Sequence, residues 1–210
     1  TLRGHHVDSG EKISKVNAEG RLLRDNVYGT IDEDAERRDF TVNALYYDIS
    51  DFSIHSYGGG LQDLESRTLR LIGDPQKRYR EDPVRMLRAV RFATKLGMSI
   101  DEAAATPIHE LAPLLKDIPA ARMYEEVLKL FFNGQAQNNL AMMRDFGLFA
   151  PLFPLVDNLL EEDPKGPVNK LVKAIMRNTD ERVQADKSVT PAFFYAAMLW
   201  YPLSQRADDI

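Results

Sequence analysis

Residues 80–92 read Arg80-Glu81-Asp82-Pro83-Val84-Arg85-Met86-Leu87-Arg88-Ala89-Val90-Arg91-Phe92. An acid followed by proline is a strong helix start: the carboxylate accepts orphan backbone N–H groups, and proline suits the first turn. Apolar Met86, Ala89, Val90, Ala93 and Leu96 then recur at helical spacing until Gly97 closes the segment. Upstream, short strand-like runs alternate with turns; downstream, the patterns are helical. The predicted fold class is α+β, a small β remnant followed by a mainly α-helical part.

Charge follows the same period. Asp82, Arg85, Arg88 and Arg91 stand at intervals of three. Such neighbours share a helix face, and the four span roughly 13 Å at 1.5 Å per residue, about the length of a nucleotide from base to phosphates. On a helical wheel Asp82 and Arg85 border the apolar stripe, while Arg88 and Arg91 turn toward water. Charged groups at the edge of a core require partners. Adenine supplies a fitting edge, since a carboxylate accepts from its exocyclic amine and a guanidinium donates to the adjacent ring nitrogen. Cytosine presents the same edge, so the pair selects adenine and cytosine over guanine and uracil without separating the two. The residues alone equally describe an Asp82 N-cap, an Asp82–Arg85 helix pair and a solvated basic stripe.

Toward the N-terminus lies a second constellation, Arg37-Arg38-Asp39-Phe40-Thr41-Val42-Asn43-Ala44-Leu45. Arginine offers planar, bidentate donors to phosphate oxygens, and a carboxylate such as Asp39 can hold or orient a hard divalent cation. A surface Arg–Asp pair with Asn43 in a turn is the plainer alternative. Thr30 and Glu33 form a capping box that opens a short charged helix over 31–38. A turn over 41–45 leads into a hairpin of 46–49 and 52–57, which Gly58-Gly59-Gly60 ends, and 67–72 is a candidate third strand. Two or three strands cannot stand alone in water, so a larger sheet is expected, with its first strands upstream of Thr1. The missing initiator Met points the same way, toward a fragment. The segment through Gly20 reads as a mobile loop. Further helices are expected at 121–132, 137–146, 168–178 and 191–200.

The chain has 210 residues, 44% of them hydrophobic, which suffices for a substantial core and excludes general disorder. No apolar run is long enough to span a bilayer, and no signal-peptide pattern opens the sequence. The absence of cysteine excludes disulfides and thiolate metal sites and fits a cytoplasmic protein. Net charge is −5, yet residues 67–95 carry nine Lys/Arg against three acids, a local +6 that leaves −11 for the remainder. Such a block is either an electrostatic footprint for phosphate or a solvated helix face with counter-charges elsewhere in the fold.

Taken together, Arg37-Arg38-Asp39-Phe40-Thr41-Val42-Asn43-Ala44 and Glu81-Asp82-Pro83-Val84-Arg85-Met86-Leu87-Arg88-Ala89 resemble two signature motifs of the class II nucleotidyltransferases. That family contains bacterial poly(A) polymerases and tRNA CCA-adding enzymes. Order and separation both suit it, and the joint match favours the ligand-binding alternatives over the solvated ones. Leu23-Arg24-Asp25-Asn26-Val27-Tyr28-Gly29, Tyr79-Arg80-Glu81-Asp82, Leu148-Phe149-Ala150-Pro151-Leu152-Phe153-Pro154 and Pro191-Ala192-Phe193-Phe194-Tyr195-Ala196-Ala197-Met198 resemble the poly(A) polymerase branch.

The resemblance implies a catalytic head over 1–75, a helical neck that binds nucleotide and RNA over 76–150, and the start of a helical body over 151–210. It implies template-independent addition of AMP from ATP to RNA 3′ ends, assisted by Mg2+. Asp39 resembles an active-site acid. Arg38, Asp82, Arg85, Arg88 and Arg91 resemble nucleotide ligands, with Asp82 and Arg85 at the base and Arg88 and Arg91 at the phosphates. The family's Asp-x-Asp metal pair is expected upstream of Thr1. Asp32 and Asp34 have its spacing but lie on the charged helix before the second constellation, the wrong place to replace it. The chain alone is therefore expected to be inactive and its full-length parent to be the enzyme. A CCA-adding enzyme and a noncatalytic RNA-binding module are the alternatives. Tyr46, Tyr47, Phe52 and Tyr57 are expected to pack on strands, and Phe131, Phe132, Phe193, Phe194 and Trp200 in helical cores. His5, His6, His55 and His109 show no metal-ligand spacing.

Overall fold

The computed structural model describes residues 29–208; the expected loop through Gly20, His5, His6 and the 23–28 part of the branch motif lie outside the described residues. The chain divides into two compact units, Thr1–Asp74 and Pro75–Ile210.

In the first unit, helix α1 (Ile31–Glu36) opens on the anticipated capping box: the Glu33 N–H donates to Thr30 Oγ1 at 3.3 Å, and the Thr30 N–H donates to Glu33 Oε2 at 2.8 Å. A 3-10 turn (Thr41–Asn43) leads to strand β1 (Leu45–Tyr47), which pairs antiparallel with β2 (Ile54–Ser56) in the register Leu45↔Ser56, Tyr46↔His55, Tyr47↔Ile54. The connection is tied by Asp48 and Asp51, whose carboxylates accept from the Ser50 and Ser53 N–H groups at 2.8 and 2.9 Å. Phe52 occupies the left-handed region there, with φ of 61°.

The three glycines do more than end the hairpin. Gly58 and Gly59 take positive φ, and Gly60 starts helix α2 (Gly60–Glu65), which sequence patterning missed. A Cβ at Gly60 would collide with the Thr41 carbonyl, so α2 approaches the 3-10 turn as closely as backbone allows. Asp63 of α2 is buried and accepts from Thr41 Oγ1 at 2.6 Å and from Arg70 Nε at 3.2 Å. The expected third strand shrinks to β3 (Thr68–Leu69) and a single bridge between Phe40 and Leu71. Ala35, Phe40, Ala44, Leu69 and Leu71 form the buried apolar set.

The second unit begins with α3 (Pro75–Glu81) and α4 (Val84–Leu96), joined at Asp82-Pro83. Gly97, at φ 62°, ends α4 as expected, and the Met98 N–H donates back to the Ala93 carbonyl at 2.9 Å. A short strand β4 (Ser99–Ile100), helices α5 (Glu102–Ala105) and α6 (Ile108–Leu111) and a 3-10 stretch (Ala112–Asp117) follow. Then come α7 (Ala120–Phe131), α8 (Ala136–Asp145), α9 (Pro154–Glu162), α10 (Pro167–Gln184) and α11 (Pro191–Asp208). Helices α7 and α8 fall within one residue of expectation, whereas α10 and α11 run well past their expected ends at 178 and 200.

Buried polar groups fix how these helices meet. Asn139 is fully buried; it accepts from Thr94 Oγ1 of α4 and donates to the Leu130 carbonyl of α7, both at 2.6 Å. Asp180, from the middle of α10, accepts from the Ala136 and Gln137 N–H groups at 2.6 and 3.1 Å and so caps α8 from another helix. Phe131 and Phe194 are core residues as expected. Phe193 and Trp200 are not, at 70% and 66% exposed, because α11 turns its Phe194–Met198 side inward and carries these two away from it. Tyr47 and Phe52 are likewise exposed instead of packed, while Tyr46 and Tyr57 meet edge to face at 5.5 Å. No helix among the described residues is long and apolar enough to cross a membrane.

Asp180→Ala removes the cap of α8 and leaves two inward N–H groups without an acceptor. Urea denaturation is expected to show a loss of about 1–2 kcal/mol, as for other lost helix caps.

Candidate nucleotide site

Arg38 is set by a carboxylate four residues earlier. Asp34, buried on α1, accepts from Arg38 Nη2 at 2.7 Å and Nε at 3.2 Å, from Arg37 Nη2 at 3.4 Å and from the Tyr46 hydroxyl at 2.8 Å. The Arg38 guanidinium also lies 6.0 Å from the centroid of the Tyr46 ring. Its hydrogen bond to Asp34 raises the guanidinium pKa further, and burial raises that of the Tyr46 hydroxyl. Asp34 is thus the hub that orients Arg38, a role unseen in its spacing from Asp32. Its signal was the i,i+4 relation to Arg38 on one helix face. Asp39, the next residue after Arg38, is buried, and its carbonyl accepts from the Ile72 N–H at 2.9 Å.

In the second unit, Asp82 and Arg85 lie together at the start of α4, and each has an anchor of its own instead of the Asp82–Arg85 helix pair that was the plainer alternative. Asp82 Oδ2 accepts from Arg122 Nη2 at 2.7 Å, while Oδ1 accepts from the Val84 N–H at 3.3 Å. Arg85 Nη1 donates to the Arg78 carbonyl at 2.7 Å and reaches Glu81 Oε2 at 3.4 Å. Both side chains are half-buried, 20% exposed for Asp82 and 14% for Arg85. The Arg78 carbonyl also accepts from the Asp82 N–H at 3.2 Å, and the neighbouring Tyr79, fully buried in α3, donates to the Ala104 carbonyl at 3.1 Å. Burial raises the Tyr79 hydroxyl far above its ordinary pKa, so it stays a neutral donor.

Arg88 and Arg91 flank the Phe92 ring, at 6.0 and 4.6 Å from its centroid. Arg91 is not on the wet side that the helical wheel suggested. Its Nε is buried without a hydrogen-bond partner among the described residues. Burial lowers its pKa, opposed by the Glu126 carboxylate of α7, which packs against α4. Sequence reasoning missed Arg122 altogether, since a contact forty residues away leaves no local pattern. No group of three or more histidine or acidic side chains suited to a metal ion forms among the described residues.

Comparison with known proteins follows the same division. The family described as "Poly A polymerase head domain" matches residues 1–70, and "Probable RNA and SrmB- binding site of polymerase A" matches residues 97–160. Poly(A) polymerase I of Escherichia coli O6:H1 is 49% identical over 212 residues, covering 100% of this chain and 46% of the relative. The chain therefore spans about half the length of the curated relatives it matches. A CCA-adding enzyme of Latilactobacillus sakei is 38% identical over 62% of the chain and 33% of the relative. The solved CCA-adding enzyme of Thermotoga maritima in complex with tRNA has a TM-score of 0.57 at 20% identity, over 98% of this chain and 59% of that one. At that identity the likeness establishes the fold, which agrees with the α+β class and its small β remnant.

Asp34→Ala strips three donors of their shared acceptor. It is expected to cost about 1–3 kcal/mol in urea denaturation; Asp34→Asn, which keeps an acceptor oxygen, is expected to cost less.

Proposed function

We propose that the chain belongs to the poly(A) polymerase family of RNA nucleotidyltransferases and that the whole protein adds AMP from ATP to RNA 3′ ends. The observation that carries this reading is the separate anchoring of Asp82 by Arg122 and of Arg85 by the Arg78 carbonyl. An acceptor and a donor, each held by protein instead of by the other, stand side by side on one turn. That is what a site needs in order to read an amine and its neighbouring ring nitrogen without a template.

In the proposed reaction the RNA 3′ oxygen attacks the α-phosphorus of ATP. The bond from that phosphorus to the bridging oxygen breaks, and pyrophosphate leaves. Asp82 accepts from the adenine amine, and Arg85 donates to the ring. Arg38 is assigned to the nucleotide, Arg88 and Arg91 to its phosphates, and Asp39 to the catalytic acids. In this assignment 1–75 is head, 76–150 neck and 151–210 body, and the setting is cytoplasmic. Mg2+ coordination is assigned to carboxylates outside the described residues, which offer no suitable cluster, and no step is derived through it.

The test is primer extension by the full-length protein with magnesium and each NTP separately, on a generic RNA and on tRNA lacking its CCA end. A long A-only ladder on the generic RNA is expected. Addition that stops after CCA on tRNA assigns the protein to the CCA-adding branch, and no incorporation on either substrate leaves an RNA-binding module. Asp82→Ala and Arg85→Ala are each expected to cut the kcat/KM preference for ATP over GTP by roughly 10- to 100-fold, the worth of one paired base contact at about 1–3 kcal/mol.

A further inference from the structure

Arg38 and Asp39, the two residues of the first unit assigned above to the reaction, sit on a segment tied at both ends. Asp34 of α1 holds Arg38. At the other end, Thr41 Oγ1 donates to Asp63 Oδ2 at 2.6 Å, and Arg70 Nε donates to Asp63 Oδ1 at 3.2 Å. The Asp63 side chain, on α2, is only 7% exposed. The two stretches it joins are already paired through their backbones. The Thr41 N–H donates to the Arg70 carbonyl at 3.0 Å, the Ile72 N–H donates to the Asp39 carbonyl at 2.9 Å, and Phe40 bridges Leu71. One carboxylate therefore grips both sides of the ladder that carries Asp39.

Two features point beyond stability alone. Phe40 is extended, with φ −124° and ψ 147°, and fully buried, so its neighbours Asp39 and Thr41 project to the opposite side. Thr41 is thus the next side chain on the face that carries Asp39. A buried charge is also a poor choice for stability, since apolar residues of similar volume often hold a fold as well. What the carboxylate adds is direction, and α2 has no room to slide past it, because a Cβ at Gly60 would already collide with the Thr41 carbonyl. We infer that Asp63 is a positioning residue for nucleotidyl transfer, fixing through the Thr41 hydroxyl the backbone that aims Arg38 and Asp39. The inference rests on the assignment of those two residues to the reaction, and adds a residue that acts through its neighbour and not on the nucleotide.

Steady-state AMP addition to oligo(A) by the full-length protein tests it. Thr41→Val is the principal variant, because it removes the hydroxyl and leaves the Asp63–Arg70 pair in place. Slight misplacement of reacting groups can slow a reaction about 100-fold, so kcat is expected to fall roughly 10- to 100-fold with KM for ATP retained. Thr41→Ser, which keeps the hydroxyl, is expected to restore kcat. Preference for ATP over GTP should not move, since Asp82 and Arg85 belong to the second unit. Adding Asp63→Ala to Thr41→Val should lower kcat little further, as for residues that act as one. Circular dichroism gives the folded fraction of each variant at the assay temperature. An unchanged kcat in Thr41→Val overturns the inference, as does a loss that Thr41→Ser shares or a rise in KM alone. A loss no larger than the loss of folded protein also overturns it and marks Asp63 as a support of the fold only. If the unaltered protein incorporates nothing, the proposed function falls and this inference with it; full-rate extension by Thr41→Val removes the inference alone.

Discussion

A carboxylate drawn partly out of water must be given hydrogen bonds, and at Asp82 that requirement links two parts of the chain forty residues apart. Arg122 meets Asp82 across 2.7 Å. The contact joins the first turn of α7 to the junction of α3 and α4, and Arg85 has its own partner in the Arg78 carbonyl. In the proposed reading, an Asp82–Arg85 pair would have had to break before a base could be read, and the separate anchors spare that step.

The supports behind that arrangement are polar groups inside the helical unit. Tyr79 fastens α3 through its hydroxyl to the Ala104 carbonyl, beside the Arg78 carbonyl that accepts from Arg85. Asn139 joins α8 to both α4 and α7, so the helix that Asp82 precedes and the helix bearing Arg122 share one buried side chain as a common reference. Apolar packing tolerates small slides between helices. Buried hydrogen bonds do not, because each broken one leaves a group without solvent to replace its partner.

Local signals were legible in the sequence. The Thr30–Glu33 capping box, the hairpin, the Gly97 stop and helices α7 and α8 all rest on residues within four or five positions of one another. Elements of four residues such as α5 and α6 are too short to show a period, and α2 hid behind three glycines read only as a stop. Candidate ligands were legible by kind, whereas their partners were not. Arg122 and Asp180 act on residues 40 or more positions away, and nothing beside them in the chain announces it. Exposure on α11 failed for a related reason: its apolar residues run round the helix, so periodicity could not say which side turns inward.

That same helix decides how the molecule can be watched. Trp200 is the only tryptophan in the sequence, and two-thirds of its surface faces solvent in the folded state. An indole already surrounded by water changes its surroundings little when the chain unfolds. These 210 residues are therefore nearly silent to the optical probe most used to follow unfolding. Their folding is reported instead by backbone circular dichroism, or by tryptophans introduced at buried aromatic positions such as Phe131 or Phe194.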